Sequence, residues 1–370
     1  MISTCIRCLM NNNVDPSIKF TSDGLCNHCQ RYDHLKSSRL NLDNNTLDKI
    51  VSRIKASGNR KEYDCIVGVS GGVDSTYVAF LVKKMGLRPL AVHVDNGWNS
   101  ELAVKNIENT LKKLNIDLVT NVLDWDEFKD LQLSFLKSST PDCEIPSDHA
   151  IFATLWKEAT KRNIKYIISG MNFATESLSV PNWSYGHSDW RYIRSVHKIF
   201  GKKKLKTYPH FSLFYLLYIN IFKGIRTISI LNYVNYNKDD AMSVLQDQLG
   251  WIYYGGKHFE SIYTRFYQGY LLPKKFGIDK RYGHLSDLIN SGQITKEEAI
   301  NELLADNYSP QQKKDDLFFV RKKLELSEDE FEKILNQPPK GFNDYPNSFA
   351  LLNFLKVIVN RMRLYGLYPK

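Results

Sequence analysis

The sequence predicts an α/β protein built on a doubly wound parallel sheet, with a small metal-binding module before the sheet and a mainly helical region after it. Short apolar segments alternate with helical segments between residues 64 and 169, a Gly-rich turn follows the first apolar segment, and two Cys-x2-Cys pairs precede both. The chain has 370 residues, 43% of them hydrophobic, which is enough for more than one domain. We therefore expect four regions: 1–40, 41–200, 201–240 and 241–370.

The region 1–40 contains four cysteines in two closely spaced pairs: Cys5, Cys8, Cys26 and Cys29. Two such pairs can surround one tetrahedral Zn²⁺, and four thiolates leave no open position for a substrate. The alternative, a pair of disulfides, is disfavoured in a reducing cytosol. The spacing therefore predicts a structural zinc ribbon, which needs its metal because the segment has few apolar residues of its own.

The region 41–200 reads as a helix followed by alternating strands and helices, after an Asn- and Ser-rich linker at about 37–46. The expected strands are 64–69, 89–94, 117–121 and 166–169, and the expected helices are 47–57, 75–85, 100–114 and 148–162. Strands that alternate with helices form parallel sheets through right-handed crossovers. Ligands of such sheets bind beyond the carboxyl ends of the strands, which is where the polar motifs of this chain lie.

The most specific motif is the turn after the first strand: Ser70, Gly71, Gly72, Val73, Asp74 and Ser75. Two adjacent glycines allow a sharp turn whose N–H groups, together with the start of the next helix, face one anion. The two serines add hydroxyl donors. A carboxylate beside phosphates requires a cation such as Mg²⁺, or else a hydrogen bond that orients the loop. The motif therefore predicts a loop that binds the phosphates of a nucleotide, rather than an ordinary strand-to-helix turn.

Polar residues also follow the second and fourth strands: His93, Asp95, Gly170, Asn172, Thr175 and Glu176. We expect the first four to contact the nucleotide and the last two to contact the substrate. Asp95 could equally be a turn or capping aspartate, and an ordinary helix start explains Thr175 and Glu176 nearly as well.

The segment 140–150 is dense in acidic groups and contains a histidine. Glu144, Asp148 and His149 could bind Mg²⁺, accept a proton or contact substrate hydroxyls, so we expect them to be catalytic. The alternative is a Pro-bounded loop in which Ser147 or Asp148 caps the following helix.

The hexapeptide 70–75 resembles the SGGxDS signature of the PP-loop ATP pyrophosphatases. This resemblance implies that ATP is cleaved between its α and β phosphates and that AMP is loaded onto a substrate oxygen. Ammonia or sulfur then displaces AMP. A Walker loop, by contrast, ends in Gly-Lys-Ser/Thr and delivers the terminal phosphate.

Three further stretches, 144–151, 254–263 and 272–281, resemble N-acetyl sugar amidotransferases. The resemblance runs through most of the chain and departs most at 205–237. It implies that an N-acetyl group of a nucleotide-linked acidic sugar becomes an acetamidino group during surface-polysaccharide synthesis. No glutaminase signature is apparent in the sequence. The resemblance therefore implies partners that supply ammonia, similar to the glutaminase and cyclase subunits of histidine biosynthesis.

Under this resemblance, Lys257 is the expected catalytic cation, because leaving pyrophosphate accumulates negative charge that a positioned cation stabilises. Without it, a Lys in a Gly-flanked loop would be read as simply solvated. Four further basic residues are expected to contact the substrate: His258, Arg265, Lys274 and Lys275.

The formal net charge of +10 favours anionic partners. No signal peptide is visible and the longest apolar stretch, about 211–222, is too short to span a bilayer, so a cytoplasmic location is expected. The basic, aromatic segment 201–240 is expected to be a helical insert, buried or covered by a partner, with weak contact to an anionic membrane as the alternative. The chain could also form oligomers.

The strongest alternative function is tRNA thiolation by a PP-loop enzyme, which would also explain zinc, basic charge and adenylation of a base oxygen. Cluster-dependent thiolation needs further cysteines near the ATP site, and only Cys65 and Cys143 remain. The basic residues also do not form one Arg-rich tract, so no nucleic acid is expected. A non-enzymatic zinc-ribbon scaffold is the third alternative, and the intact loop 70–75 argues against it.

Overall fold

The computed structural model describes residues 2–39, 44–305, 308–354 and 357. In this part of the chain, a parallel sheet contains β1 (Cys65–Gly68), β2 (Pro89–Asp95), β3 (Asp117–Val122), β4 (Tyr166–Ser169) and β5 (Arg226–Ser229). The strand order is β3-β2-β1-β4-β5. Because the order reverses between β1 and β4, the topological switch point lies at their carboxyl ends. The predicted doubly wound fold is confirmed.

The helices of the sheet region are α1 (Asn27–Arg39), α2 (Asn44–Ser57), α3 (Val73–Lys84), α4 (Glu101–Leu114), α5 (Trp125–Ser138), α6 (Ile145–Lys161), α7 (Phe173–Glu176), α8 (Trp190–Phe200), α9 (Leu213–Leu217) and α10 (Lys238–Leu249). The helices that follow are α11 (Ile262–Phe266), α12 (Arg281–Ser291), α13 (Lys296–Leu304), α14 (Pro310–Lys323) and α15 (Glu328–Asn336). Two π-helical stretches, Tyr218–Phe222 and Tyr267–Phe276, continue α9 and α11. Short 3-10 turns cover Ile230–Tyr233 and Phe342–Asp344. The predicted helical carboxyl-terminal region is confirmed.

The sheet is buried on both faces at its centre. On one face, Val67 of β1 lies in a core with Val78 of α3 and Leu245 of α10. On the other, Ile66 lies in a core with Leu155 of α6. Strands covered on both faces have continuous aliphatic sequences, which explains why residues 65–67 and 89–92 are apolar without alternation. These two layers fix the carboxyl ends of β1 and β4 relative to each other.

The segment 201–240 differs from the predicted helical insert, because it contributes β5 to the sheet. β5 pairs in parallel with β4, with Ile167 opposite Thr227. The four-residue strand Arg-Thr-Ile-Ser is partly exposed and has no long apolar run, so it carries little sequence signal. The helix expected at 148–162 begins earlier, at Ile145. The predicted linker at 37–46 is helical at 37–39 and 44–46, and its remaining residues lie outside the described part of the chain.

The amino-terminal module folds around its four cysteines and packs against α12. The Leu9 backbone N–H donates to Ser286 Oγ at 3.2 Å, and Lys296 Nζ donates to the Cys5 carbonyl at 2.7 Å. The cysteines share a core with Val180 and Trp183. The module therefore contacts the same helix that, as shown below, forms one wall of the site.

Within residues 2–39, 44–305 and 308–354, no helix combines the length and the apolar character needed to cross a membrane.

Candidate active site

The turn after β1 has the open shape of an anion-binding loop. Gly71 has a φ of +81°, which favours glycine, and a Cβ atom there would lie 2.5 Å from the Ala103 carbonyl oxygen. Ser75 Oγ lies 3.1 Å from Ser70 Oγ and donates to the Gly72 carbonyl at 3.2 Å. The backbone is therefore held from within the loop, and α3 begins directly after it at Val73.

Asp74, in the first turn of α3, is the centre of a hydrogen-bond network between the two sides of the switch point. The Tyr236 hydroxyl donates to Asp74 Oδ1, and Asn172 Nδ2 donates to the same oxygen at 3.2 Å. Burial and the nearby Glu176 carboxylate raise the pKa of Asp74, against the Tyr236 hydrogen bond and the Lys257 charge. A cation beside Asp74 would relieve this repulsion between carboxylates.

The turn after β4 packs closely on this loop. A Cβ atom at Gly170 would lie 3.1 Å from the Asp74 carbonyl carbon and the Ser75 nitrogen. Gly170 therefore lets β4 approach the start of α3, and its predicted close approach to a nucleotide stays a prediction. Asn172 caps α7 by accepting from the Thr175 N–H at 2.9 Å.

The segment 251–262 covers the loop from the carboxyl-terminal side. Trp251 Nε1 donates to the Gly71 carbonyl at 2.9 Å, and the Val73 N–H donates to the Tyr254 hydroxyl at 3.3 Å. Gly255, with a φ of +94° and no neighbouring atom within 4 Å of a Cβ there, allows the turn that follows. This segment places Lys257 close to Asp74 at the start of α3, and we call the region between these two residues the cleft.

Basic and acidic groups face one another across this cleft. Lys257 Nζ lies 3.6 Å from Glu176 Oε1 and donates to the Thr175 carbonyl at 3.1 Å. Burial and the nearby Lys257 charge lower the pKa of Lys238. Burial also raises the pKa of Asp287, on α12, to about 6. Such opposed shifts of neighbouring buried groups are typical of functional sites.

A second pair of acidic residues, Glu144 and Asp148, lies next to Glu176. Glu144 accepts from Gln268 Nε2 at 2.9 Å and lies 3.5 Å from Lys280 Nζ. Desolvation by the surrounding protein, followed by the charges of Glu144 and Asp142, raises the pKa of Asp148 to about 8, while part of its surface stays exposed to solvent. A carboxylate that ionises near neutral pH in an accessible cleft is suited to accept a proton.

His149 does not belong to this group, which corrects the prediction that it is catalytic. Its Nδ1–H donates to the His187 carbonyl at 2.6 Å, and its Nε2 accepts the Phe211 N–H at 3.2 Å. The ring is fully buried and stacks on Phe211, with a centroid distance of 4.0 Å. Burial lowers its pKa to about 3, so His149 is a neutral core residue with both nitrogens engaged.

Three predicted substrate-binding cations also point elsewhere. Arg265 makes a bidentate ion pair with Asp316, with both N–O distances at 2.7 Å. Lys274 Nζ donates to the Tyr270 hydroxyl at 3.0 Å, and Lys275 Nζ donates to a backbone carbonyl of α15. The Arg265 and Lys275 contacts join neighbouring carboxyl-terminal helices, and the Lys274 contact stays within the stretch Tyr267–Phe276. The structure therefore does not support direct substrate contacts by these three residues.

His93 and Asp95, predicted to contact the nucleotide, shape the turn after β2. The His93 Nδ1–H donates to the Val69 carbonyl at 2.8 Å, and Asn99 Nδ2 lies 3.1 Å from His93 Nε2. Asp95 accepts the Gly97 N–H at 2.8 Å, so it is the turn aspartate that the alternative reading described. Direct nucleotide contact by the His93 ring would require these hydrogen bonds to break.

The polar groups of Thr175 are likewise engaged within the fold, because its N–H and its hydroxyl both donate to Asn172 Oδ1. His258 has a φ of +63° and lies 3.6 Å from Glu260 Oε1, close to the cleft. Its place in the cleft is compatible with the predicted substrate contact.

The cleft also contains residues that the sequence did not identify: Tyr236, Lys238, Tyr254, Lys280, His284 and Asp287. Tyr254 and Lys280 lie inside the motifs 254–263 and 272–281, which offered a signal. The others stand singly in ordinary helical or loop sequence. Only the fold brings them next to Asp74 and Lys257.

The four cysteines have the geometry of a zinc site. All four are buried, and their sulfur atoms lie within 4.8 Å of one another. Cys5 Sγ and Cys29 Sγ are 3.8 Å apart, and Cys8 Sγ and Cys26 Sγ are 3.7 Å apart. Zn–S bonds of ~2.3 Å in a tetrahedron separate the sulfurs by ~3.8 Å, so these two pairs have the spacing expected of ligands to one zinc ion.

Two family models match different parts of the chain. Residues 64–177 match the queuosine biosynthesis protein QueC, and residues 260–358 match the C-terminal domain of LPS biosynthesis proteins that are WbpG-like. A stretch of 131 residues is 35% identical to the glutamine-hydrolyzing GMP synthase of Pyrobaculum aerophilum. That stretch is 34% of this chain and only 23% of that enzyme's length.

Two solved structures show remote similarity. NMN synthetase from Francisella tularensis is 14% identical, with 50% of this chain and 96% of that chain covered. The NH3-dependent NAD synthetase from Campylobacter jejuni is 16% identical, with 54% and 82% covered. Both have a TM-score of 0.29, which is too low to support a conclusion about this chain. The two family matches, in contrast, agree with the resemblance inferred from the motifs: residues 64–177 are similar to QueC, and residues 260–358 are similar to the C-terminal domain of WbpG-like proteins.

Proposed function

We propose that this chain is an ATP-dependent amidotransferase that converts an N-acetyl group of a nucleotide-linked acidic sugar into an acetamidino group. The observation that carries the proposal is the cleft at the switch point, where an anion-binding loop and Asp74 face Lys257 and Lys238. The match of residues 260–358 to WbpG-like LPS biosynthesis proteins supports a sugar of a surface polysaccharide as the substrate.

In the first step, the acetamido oxygen attacks the α phosphorus of ATP and pyrophosphate leaves. The N–H groups at 71–73 and the Ser70 and Ser75 hydroxyls bind the phosphates, which displace the hydrogen bonds that the Val73 N–H and the Ser75 hydroxyl make to Tyr254 and Gly72. Lys257 and Lys238 neutralise the charge that develops on the leaving group. Asp74 and Glu176, both oxygen donors in one cleft, would hold Mg²⁺, which when bound offsets the charge of the phosphates. Tyr236 and Asn172 orient Asp74 for this role.

In the second step, ammonia attacks the activated carbon, and AMP leaves with the acetamido oxygen. The nitrogen must lose a proton as the amidine forms. Asp148, with its raised pKa, is placed to accept this proton, and Glu144 keeps Lys280 beside it. Ammonia is supplied by a separate glutaminase with a cyclase-like subunit. The reaction takes place in the cytoplasm.

The test is to incubate the protein with Mg-ATP, excess ammonium and a panel of UDP- and CMP-linked N-acetylated acidic sugars. AMP formation together with the mass change for replacement of oxygen by NH would support the proposal and identify the substrate. Asp74→Asn should abolish AMP formation while the protein stays folded. Asp247→Asn, on the exposed face of α10, is the matched control and should be fully active.

AMP formation that requires tRNA, and no product with any sugar, would refute the proposal in favour of base modification. Absence of AMP with every substrate would favour the scaffold alternative.

A further inference from the structure

An apolar stripe lies on the surface of the helical segment 213–222. One side of this segment is internal: Ile219 is 1% exposed, and the Tyr215 hydroxyl lies 3.3 Å from Thr160 Oγ1. The other side carries the stripe, which consists of Phe214, Tyr218, Ile221 and Phe222, at 83%, 41%, 55% and 78% exposure. Large apolar side chains exposed together at helical spacing indicate an interaction surface.

The sequence around the stripe is strongly and uniformly basic. Residues 190–237 contain no Asp or Glu and nine cations: Arg191, Arg194, Lys198, Lys202, Lys203, Lys204, Lys206, Lys223 and Arg226. The first seven of them precede the stripe and belong to a stretch that contacts α5, where Lys203 pairs with Asp126 at 2.7 Å. The positive charge next to the stripe therefore comes from Lys223 and Arg226, together with Lys165 of the neighbouring strand connection.

Lys223 lies directly beside the stripe, and two further cations lie next to Lys223. Lys223 Nζ is 5.7 Å from the centre of the Tyr218 ring. Lys165 Nζ donates to the Lys223 carbonyl at 2.6 Å, and the Arg226 N–H donates to the Lys165 carbonyl at 2.8 Å. The nearest acidic residue on α6, Glu158, is engaged by Arg162 at 3.1 Å. The stripe is thus flanked by a cationic rim of Lys165, Lys223 and Arg226, which no acidic side chain of 190–237 neutralises, so a partner for this surface should be anionic.

Topology sets the direction that this surface faces. Lys165 and Arg226 stand at the amino ends of β4 and β5, whereas the cleft lies at their carboxyl ends. The stripe therefore lies near the amino ends of the strands, whereas Asp74 and Lys257 lie at their carboxyl ends. A surface bound through the stripe would leave the cleft open.

We propose that the stripe and its cationic rim bind the surface of an anionic lipid bilayer. The apolar side chains insert at the level of the head groups, and Lys165, Lys223 and Arg226 contact lipid phosphates. The helical segment has ten residues, about half of what spans a bilayer, so it lies in the plane of the interface. This inference does not depend on the proposed chemistry. It locates the chain at the membrane surface, with its cleft facing away from the lipid.

The test is flotation of the full-length protein with vesicles of phosphatidylcholine containing phosphatidylglycerol, and with vesicles of phosphatidylcholine alone. The native protein should float with the anionic vesicles and should be released by high salt. Phe214→Ser with Phe222→Ser should weaken binding about tenfold or more. Phe318→Ser, at a side chain that is 68% exposed on α14, is the matched control and should bind like the native protein.

A second double variant tests the contribution of the cations to binding and checks that the fold is unaffected. Lys223→Glu with Arg226→Glu should weaken binding to anionic vesicles by about fivefold or more for each charge, while unfolding temperature and AMP formation stay unchanged. Native protein that stays with the buffer fraction would overturn the proposal. So would a change from oligomer to monomer in sedimentation of the Phe214 and Phe222 double variant without any effect on flotation, because the stripe would then be a contact between copies of the chain.

Discussion

Replacement of Gly71 by Ala tests the anion-binding loop most directly. The left-handed conformation at a φ of +81° costs an L-residue about 1–2 kcal/mol. The new Cβ would also lie 2.5 Å from the Ala103 carbonyl oxygen, and because that atom belongs to backbone, the loop and α4 must separate by about 0.5 Å or more. A shift of this size moves the N–H groups that bind phosphate, and small misplacements of reacting groups cost about 100-fold in rate.

Gly186 provides the matched control, because it has a φ of +96° and no atom lies within 4 Å of a Cβ built there. We expect Gly186→Ala to lower the free energy of unfolding by about 1–2 kcal/mol and to leave AMP formation unchanged. Gly71→Ala should lower the free energy of unfolding further and reduce AMP formation about 100-fold. Urea titration and AMP release measure the two effects. AMP formation by Gly71→Ala within threefold of the native rate would refute the role given to the loop.

Three further predictions concern the proton acceptor, the Asp74 network and the metal. Because the pKa of Asp148 is raised to about 8, the rate of amination at constant free ammonia should rise about tenfold from pH 7 to pH 9. Asp148→Asn should lose this pH dependence, and a native pH–rate profile without an inflection contradicts the assignment. Tyr236→Phe removes a hydrogen bond that lowers the pKa of Asp74, so the acidic limb of AMP formation should move to higher pH, and an unchanged limb argues against the network. Metal analysis should find one zinc per chain, lost in Cys26→Ser, and native protein without zinc would disprove the ribbon.

The parts of the fold that the sequence predicts are those with local signals. The apolar runs of β1 and β2, the glycines at 71–72 and the cysteine spacing each constrain a short segment by its own chemistry. β5 could not be predicted in this way, because its four residues are partly exposed and only its pairing with β4 makes it a strand.

The candidate site likewise combines residues that stand in motifs with residues that only the tertiary structure brings together. Asp74 and Lys257 stand in motifs, whereas Lys238 and Asp287 reach the cleft only because α10 and α12 pack there. The prediction of His149 failed for a related reason. A histidine in an acidic, Pro-bounded segment has the composition of a site, but the direction of its ring is decided by the aromatic neighbours that only the tertiary structure provides.

The contact between the cysteine module and α12 has a consequence for the order in which the protein matures. The second cysteine pair leaves the ribosome about 250 residues before the helix that it packs against. All four cysteines lie within residues 5–29, so a metal that binds them could do so early, but the module must wait for its docking surface. His284 and Asp287, on that helix, should therefore reach their final positions late in synthesis, when the newly made carboxyl-terminal helices meet the cysteine module.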